Sequence, residues 1–354
     1  MGKLLPLLLI TASVMAAAQK IAGGPFVVNV TPRTATVVWI VQDDALAVHA
    51  PAGVAPRISP ALHVEKTTLT GLQPNTRYDY DIPGQEGVKG SFQTPPNGAG
   101  AFHFVVYGDN RTRDDVHRKV IATLLQSGIP DFVLQTGDMV PDGNDTAYWP
   151  VFFDIERELL RQTVFFPALG NHERDCRNFY DFFSLAKPYY SFNWGNAHFT
   201  VLNSDLANSA PTKSERDAFW AEQTRWLEED LQASQNAEYR FVTAHHPPFT
   251  AVARRQGDNP QMTALVPMFE KYKVTAAFFG HDHNYQRYLK NGIHYIVSGG
   301  GGAPLYDVDK PDPAIAQKVV SVENFVTVAV DGKAIRIQAI DITGKTIDEL
   351  EIRH

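Results

Sequence analysis

Cysteine is almost absent. A lone Cys176 among 354 residues leaves no internal disulfide to form, so the fold must hold by packing alone. That thiol, three residues after Glu173, is either a ligand or a packed side chain, the commoner role of a free cysteine. Positive charge is also short: 32 Lys and Arg against 39 Asp and Glu give a formal net charge of −7. This balance argues against a duplex nucleic-acid binder, which would carry a basic face. It does not exclude a small phosphorylated substrate, because a bound metal reverses the local field. No apolar run beyond the first twenty residues reaches the roughly 20 residues that a membrane span needs. Internal repeats and low-complexity tracts are missing too. Nothing in the pattern sets an oligomeric state.

What is present falls into unlike stretches. Residues 1–18 read as a leader: Lys3, an apolar stretch over 4–14, then Ala16-Ala17-Ala18 as a small-residue cleavage site. Export, to the medium or a periplasm, is the expectation. Residues 21–95 are rich in β-branched and aromatic runs, such as Thr36-Val37-Val38-Trp39-Ile40-Val41, with Pro, Gly and Asn between them. Leu72-Gln73-Pro74-Asn75-Thr76-Arg77-Tyr78 resembles the corner of a fibronectin type III domain, where a tyrosine hydroxyl caps crossing backbone. Trp39 stands where such a domain buries a tryptophan. Residues 96–100 form a Pro/Gly linker, and 101–354 alternate strand and helix. Helices are expected over 112–127 and from Pro150 through Leu160. Another is expected from a capping box at Ser214-Glu215-Arg216-Asp217, and a short one after Pro267. Asp331-Gly332 between alternating runs signals a hairpin.

Five apolar runs end alike. Phe102 to Tyr107 ends in Gly108-Asp109-Asn110-Arg111, and Phe132-Val133-Leu134 leads to Gly137-Asp138. The run 163–168 leads to Gly170-Asn171-His172-Glu173, 239–244 to His245-His246-Pro247, and 276–279 to Gly280-His281-Asp282-His283. One such ending is an ordinary turn. Five with one chemistry, at strand ends that converge in an open α/β sheet, describe a site. Asp109, Asp138, Asn171, His245, His281 and His283 offer oxygen and imidazole without thiolate, which suits iron, zinc or manganese. They are too many for one ion and about enough for two, the arrangement that clamps attacking and leaving oxygens in phosphoryl transfer.

In that order the motifs resemble the calcineurin-like metallophosphoesterases, and the β-rich front makes the chain most similar to their purple-acid-phosphatase branch. The resemblance implies an α+β fold, a four-layer α/β/β/α sandwich preceded by a small all-β fibronectin type III-like sandwich. It implies hydrolysis of a small phosphorylated substrate, monoesters first and diesters or nucleotides second, by water activated at two transition-metal ions. Asp138 would bridge, with Asn171, His245 and His281 completing one site and Asp109 and His283 the other. His172 matches the family's catalytic histidine, able to protonate the departing alkoxide; capping the turn is its plainer role. Glu173 would orient His172. The pattern His-x-Pro selects His245 as ligand, although His246 with Pro248 offers a second frame. His246 then contacts substrate or supports a ligand, and Asp282 points away as a structural residue. A competing class is a secreted binding protein that has lost its first metal and its turnover.

Two positions depart from the family. Pro141 stands where purple enzymes carry a tyrosine ligand, and Arg111 where other branches place a histidine. The first site therefore lacks a fourth protein ligand. Water or substrate fills the gap, or Asp142, His117 or Tyr148 swings in, or the site is weak. Arg111 cannot ligate a metal but makes bidentate contacts to phosphate, so two roles are open: a grip on substrate phosphate, or a salt bridge to Asp114 or Asp142. The 298–302 glycine run is a turn near the metals, without the tail of a nucleotide P-loop. Arg254 and Arg255, in the loop after His245, either reach substrate or face solvent. Without the tyrosinate the isolated protein should show no purple colour. A strong visible charge-transfer band would mean that another tyrosine, such as Tyr148, has taken that role.

Overall fold

The computed structural model describes residues 7–8, 20–49 and 57–353. Apart from Leu7–Leu8, the leader expected over 1–18 lies outside the described residues. In chain order the strands are β1 (Leu7–Leu8), β2 (Lys20–Val28), β3 (Thr34–His49), β4 (Arg57–Thr70), β5 (Arg77–Asp81), β6 (Lys89–Gln93), β7 (Phe102–Tyr107), β8 (Phe132–Gln135), β9 (Val164–Pro167) and β10 (Tyr190–Trp194). They continue as β11 (Ala197–Val201), β12 (Tyr239–Thr243), β13 (Ala276–Phe279), β14 (Tyr285–Lys290), β15 (Ile293–Ser298), β16 (Ala316–Val320), β17 (Asn324–Asp331), β18 (Ala334–Asp341) and β19 (Thr346–Arg353). The helices are α1 (Asp114–Ser127), α2 (Tyr148–Leu160), α3 (Arg177–Phe183), α4 (Leu206–Ser209), α5 (Lys213–Ala233) and α6 (Pro260–Lys271).

Two sheets face each other. One has nine strands in the order β19-β18-β17-β7-β8-β9-β2-β3-β4, the other seven in the order β10-β11-β12-β13-β15-β14-β16. Between them lies an aromatic core: Phe104, Phe132, Phe199, Phe241 and Phe278 are fully or almost fully buried. Phe104 and Phe132 stack at 4.9 Å, with Phe199 edge-on at 5.3 Å to the first, geometries that rings prefer. The outer face of the nine-stranded sheet packs Val105, Tyr107, Val133 and Phe165 against helical residues such as Val120, Phe152 and Phe179. The outer face of the other packs Val242, Ala277 and Val297 against Leu227, Leu231 and Phe269. This is the expected four-layer α/β/β/α sandwich.

Parallel pairing places the site. β7, β8 and β9 run parallel, as do β11, β12, β13 and β15. Strands buried on both faces read as continuous apolar runs, which is how β7, β8, β9, β12 and β13 stood out in the sequence. Their carboxyl ends all leave the sandwich on one side.

Local signals were met with shifts. The α5 capping box is built from Thr212 and Glu215, two residues earlier than expected. Thr212-x-x-Glu215 satisfies the same pattern as Ser214-x-x-Asp217, and its longer acid reaches back to the cap amide. Pro267 does not open a helix. It lies inside α6, which starts at Pro260, where a missing N–H costs nothing. Asp331 pairs with Ala334 across a Gly332-Lys333 turn, the hairpin that Asp-Gly announced. No described helix is long and apolar enough to cross a membrane.

The all-β front does not stand apart. β2 pairs in parallel with β9 at Val27 and Val164, so β2, β3 and β4 extend the large sheet while β5 and β6 cover its inner face. Trp39, Tyr78 and Phe92 join the same core as Phe104 and Phe166. The corner expected at Tyr78 is there: its hydroxyl accepts the Gln73 amide at 2.8 Å. A chain cut to residues 96–354 would expose the edge of β9 and the apolar faces of β7–β9, so it should aggregate or melt far below the full chain. Cooperative unfolding of the truncated chain near the full-length melting temperature would refute this.

Candidate metal centre

At the tips of β7, β8 and β13, Asp109, Asp138 and His281 all have positive φ, 58°, 58° and 68°. Left-handed backbone is uncommon outside glycine and concentrates at functional turns. Here it turns each side chain back over the sheet edge. Neighbouring backbones come close enough that glycine is obligatory: a Cβ on Gly170 would collide with the amide and carboxylate of Asp138.

The six expected residues meet. Asn171 Oδ1 lies 3.1 Å from His245 Nε2 and 3.2 Å from His281 Nδ1, which are themselves 3.2 Å apart. Asp138 Oδ1 is 3.4 Å from His245 Nε2. Asp109, Asp138 and His283 form a second cluster, with His283 Nε2 3.5 Å from Asp109 Oδ1. Asp138 belongs to both.

At most one of the contacts among Asn171, His245 and His281 can be an ordinary hydrogen bond. His245 Nδ1 lies 2.8 Å from the Thr136 carbonyl, which can only accept, so the proton is on Nδ1 and Nε2 presents a lone pair. Burial lowers the His245 pKa, keeping the ring neutral. Asn171 Oδ1 carries no proton and His281 Nδ1 at most one. His283 repeats the device: Nδ1 donates to the Pro304 carbonyl at 2.7 Å, and burial takes its pKa down to about 3. Asp109 Oδ1 is buried without a hydrogen-bond partner. Burial first, and the charge of Asp138 second, push the Asp109 carboxyl well above the usual range. Burial also works against ionising Asp138, but His245, His172 and Arg111 more than offset it and hold its carboxyl at about 2. Lone pairs gathered out of water with too few protons between them require a cation. Two donors bound to one ion at 2.0–2.2 Å stand roughly 2.9–3.5 Å apart, and the observed spacings fit.

The remaining expectations resolve individually. His172 projects beside Asp138: its amide donates to Asp138 Oδ1 at 2.9 Å and its Nδ1 to the Pro141 carbonyl at 2.7 Å. Its Nε2 faces Asp138 Oδ2 at 3.9 Å. Glu173 does not touch the His172 ring. Fully buried, it accepts the amides of Asp138 and Gly170, both at 2.8 Å, and of Met139 at 2.7 Å, pinning two strand tips together. His246 packs at a tilt against His281, centroids 4.0 Å apart, and its Nδ1 meets Ser204 Oγ at 2.8 Å. Asp282 points away, as expected, to Thr250 and Gln286.

Arg111 pairs with neither Asp114 nor Asp142. Its Nε is 3.3 Å from Asp138 Oδ2, because the turn after Asp109 crosses directly over the tip of β8. Asp142 pairs instead with Arg174, and His117 is committed to Glu156 at 2.7 Å. Cys176 is packed in the outer core, its thiol pushed up to about 12 chiefly by burial. The glycine run lies backbone to backbone with β7: the Gly301 amide donates to the Gly108 carbonyl at 3.0 Å. Sequence reasoning missed Tyr306. It stacks on His283 at 4.0 Å, under Arg254 and Arg255, in an irregular loop that no periodicity marks.

Fold and site together define a metal-dependent hydrolase of phosphoric esters. The chain belongs to the calcineurin-like phosphoesterase family, whose model matches residues 102–285, and its relatives place it in the purple-acid-phosphatase branch. Tartrate-resistant acid phosphatase type 5 of Sus scrofa is 26% identical over 259 residues, 62% of this chain and 75% of that protein. Fe(3+)-Zn(2+) purple acid phosphatase 12 of Arabidopsis thaliana is 24% identical over 281 residues, 70% and 57% of the two chains. Among solved structures, purple acid phosphatase PPD1 of Lupinus luteus superposes with a TM-score of 0.71 at 18% identity, over 93% of this chain and 74% of that one.

Glu173→Gln replaces one of two accepting oxygens with a donor facing backbone donors. A loss of about 1–3 kcal/mol is expected, read as a lower urea midpoint with an unchanged slope. No shift would deny Glu173 its clamping role.

Proposed function

We propose that the chain is an exported phosphatase that hydrolyses phosphate monoesters at a two-ion centre. The observation that carries this is the convergence of Asn171 Oδ1, His245 Nε2 and His281 Nδ1, each within 3.2 Å of the others, beside a carboxylate shared with Asp109 and His283. Bound there, iron, zinc or manganese ions supply positive charge and an acidified water. The Arabidopsis relative is named for iron and zinc, which favours that pair.

The chain's own groups do the rest. His172 is held by Nδ1 to the Pro141 carbonyl, so its Nε2 is the atom that takes up and releases a proton in the pocket. As imidazolium it gives that proton to the departing alkoxide and returns to the tautomer its hydrogen bond favours. Arg111, beside Asp138, and His246, beside His281, contact the phosphate oxygens, Arg111 through its forked donors. Export rests on the leader-like residues 1–18 alone. By sequence the chain divides into 21–95, a linker at 96–100 and the catalytic part 101–354. The front stretch serves as a wall beside the site.

Chelation should abolish turnover of a chromogenic phosphate monoester, and transition metal should restore it, with diesters slower. His172→Ala should lower kcat by about 10²–10⁴-fold, the usual contribution of a positioned proton donor. No turnover of any ester at saturating metal would overturn the reading.

A further inference from the structure

The two buried carboxylates, Asp109 and Asp138, face a pocket that already contains a cation of the protein's own. Arg111 Nε is 3.3 Å from Asp138 Oδ2 and Arg111 Nη2 is 3.4 Å from His283 Nε2. Its side chain is only 15% exposed. Among the described residues no other arginine or lysine makes a salt bridge with either aspartate. The His283 nitrogen can only accept here, since its other ring nitrogen donates to Pro304. Asp138 Oδ2 likewise accepts. So Arg111 satisfies, by donation, two of the three atoms that would ligate an ion in the Asp109–Asp138–His283 cluster. The third, Asp109 Oδ1, is left without a hydrogen bond.

We propose that Arg111 is an internal competitor for the ion of the Asp109–Asp138–His283 cluster, so that this cluster loads more weakly than the Asn171–His245–His281 one. The inference rests on the metal-centre reading given above. A guanidinium has five donors, no acceptor and no accessible neutral form. His283 Nε2 has a single lone pair that it cannot give to both the guanidinium and an ion, and at Asp138 Oδ2 the fixed positive charge repels the ion. The Asn171–His245–His281 cluster carries no such burden: among the described residues no lysine or arginine hydrogen-bonds any of the three. Arg111 also has somewhere to go. It lines a cleft of about 290 Å³ with Thr112, Asp114 and Tyr148, and its Nη1 already donates to Thr112 Oγ1 there at 3.3 Å. The position adds to the point. Two residues after Asp109, where other branches of the family have a histidine, this chain replaces a donated electron pair with a fixed positive charge.

The test is a metal titration of the full chain, stripped with chelator and titrated with Mn²⁺ by calorimetry, with elemental analysis counting the equivalents bound. One tight equivalent and a second at least about tenfold weaker are expected, the size of effect that groups around a site have on metal affinity. Arg111→Met keeps the apolar stem without charge, and Arg111→His adds a nitrogen ligand. Each should tighten the weaker site about tenfold or more and leave the tighter one within about twofold. Equal affinities in the unaltered chain would overturn the proposal, as would a gap unchanged in a folded variant. Folding is checked by metal-free melting, and if one variant fails to fold the other decides. A chain that binds no ion at either position would instead sink the metal-centre reading itself.

Discussion

Electron pairs face electron pairs at the centre of this molecule, and everything around them keeps them there. Asn171, His245, His281 and Asp138 converge to within 3.1–3.4 Å of His245 Nε2 or of one another. Without a cation that arrangement is repulsive and deprived of water. Left to themselves the side chains would rotate apart. Several are held in place by backbone: His245 by the Thr136 carbonyl, the neighbouring His283 by the Pro304 carbonyl, and Asp138 by the His172 amide. The backbone is fixed as well. Glu173 ties the β8 and β9 tips through the amides of Asp138, Met139 and Gly170, and Gly301 and Gly302 lie too close to the Gly108 and Asn110 carbonyls for any Cβ. Stability is given up locally to hold a site in readiness, as strained functional sites generally do.

How far this could be read in advance depended on how local each cause was. The five strands and the Asp, Asn and His residues at their ends were legible because burial on both faces writes a continuous apolar run and because parallel strands end on one side. The His-x-Pro pattern pointed to His245, whose Nε2 lies beside Asn171 Oδ1; His246 belongs to the same histidine cluster, with its Nδ1 on Ser204 Oγ. What could not be read depended on neighbours far along the chain. Arg111 meets a residue 27 positions away, and β2 finds its partner β9 across more than a hundred residues. Glu173 lies beside His172 in sequence, yet its carboxylate serves backbone amides on another strand tip. Positive φ at two aspartates and a histidine left no mark beyond a preceding glycine.

Pro141 shows how an absent ligand can leave a function behind. The tyrosine of purple enzymes is gone, and a proline has neither a ligating side chain nor an amide proton. Its carbonyl nevertheless fixes Nδ1 of His172. The position offers an ion no side chain and instead holds the His172 ring by backbone. Arg111 makes the complementary change on the other side of Asp138, supplying charge where a ligand would have stood. Both changes fall on the Asp109 side of the centre and spare the Asn171 side, so the two halves of one pocket are chemically unequal.

The front strands bear on that inequality. Ser59 in β4 donates to Asp145 at 2.6 Å, and Thr146 donates to the Pro60 carbonyl at 2.7 Å. These contacts fasten the edge of the large sheet to the loop that follows Asp138, the loop that carries Pro141. In the same loop the Gly143 amide donates to the His172 carbonyl at 2.8 Å, and the Gly143 carbonyl accepts the Trp149 indole N–H at 2.9 Å. A chain of hydrogen bonds thus runs from β4, through residues 141–149, to both the backbone and the ring of His172. The all-β front therefore does more than lengthen a sheet. It also helps to hold the 141–149 loop, and through that loop the His172 ring.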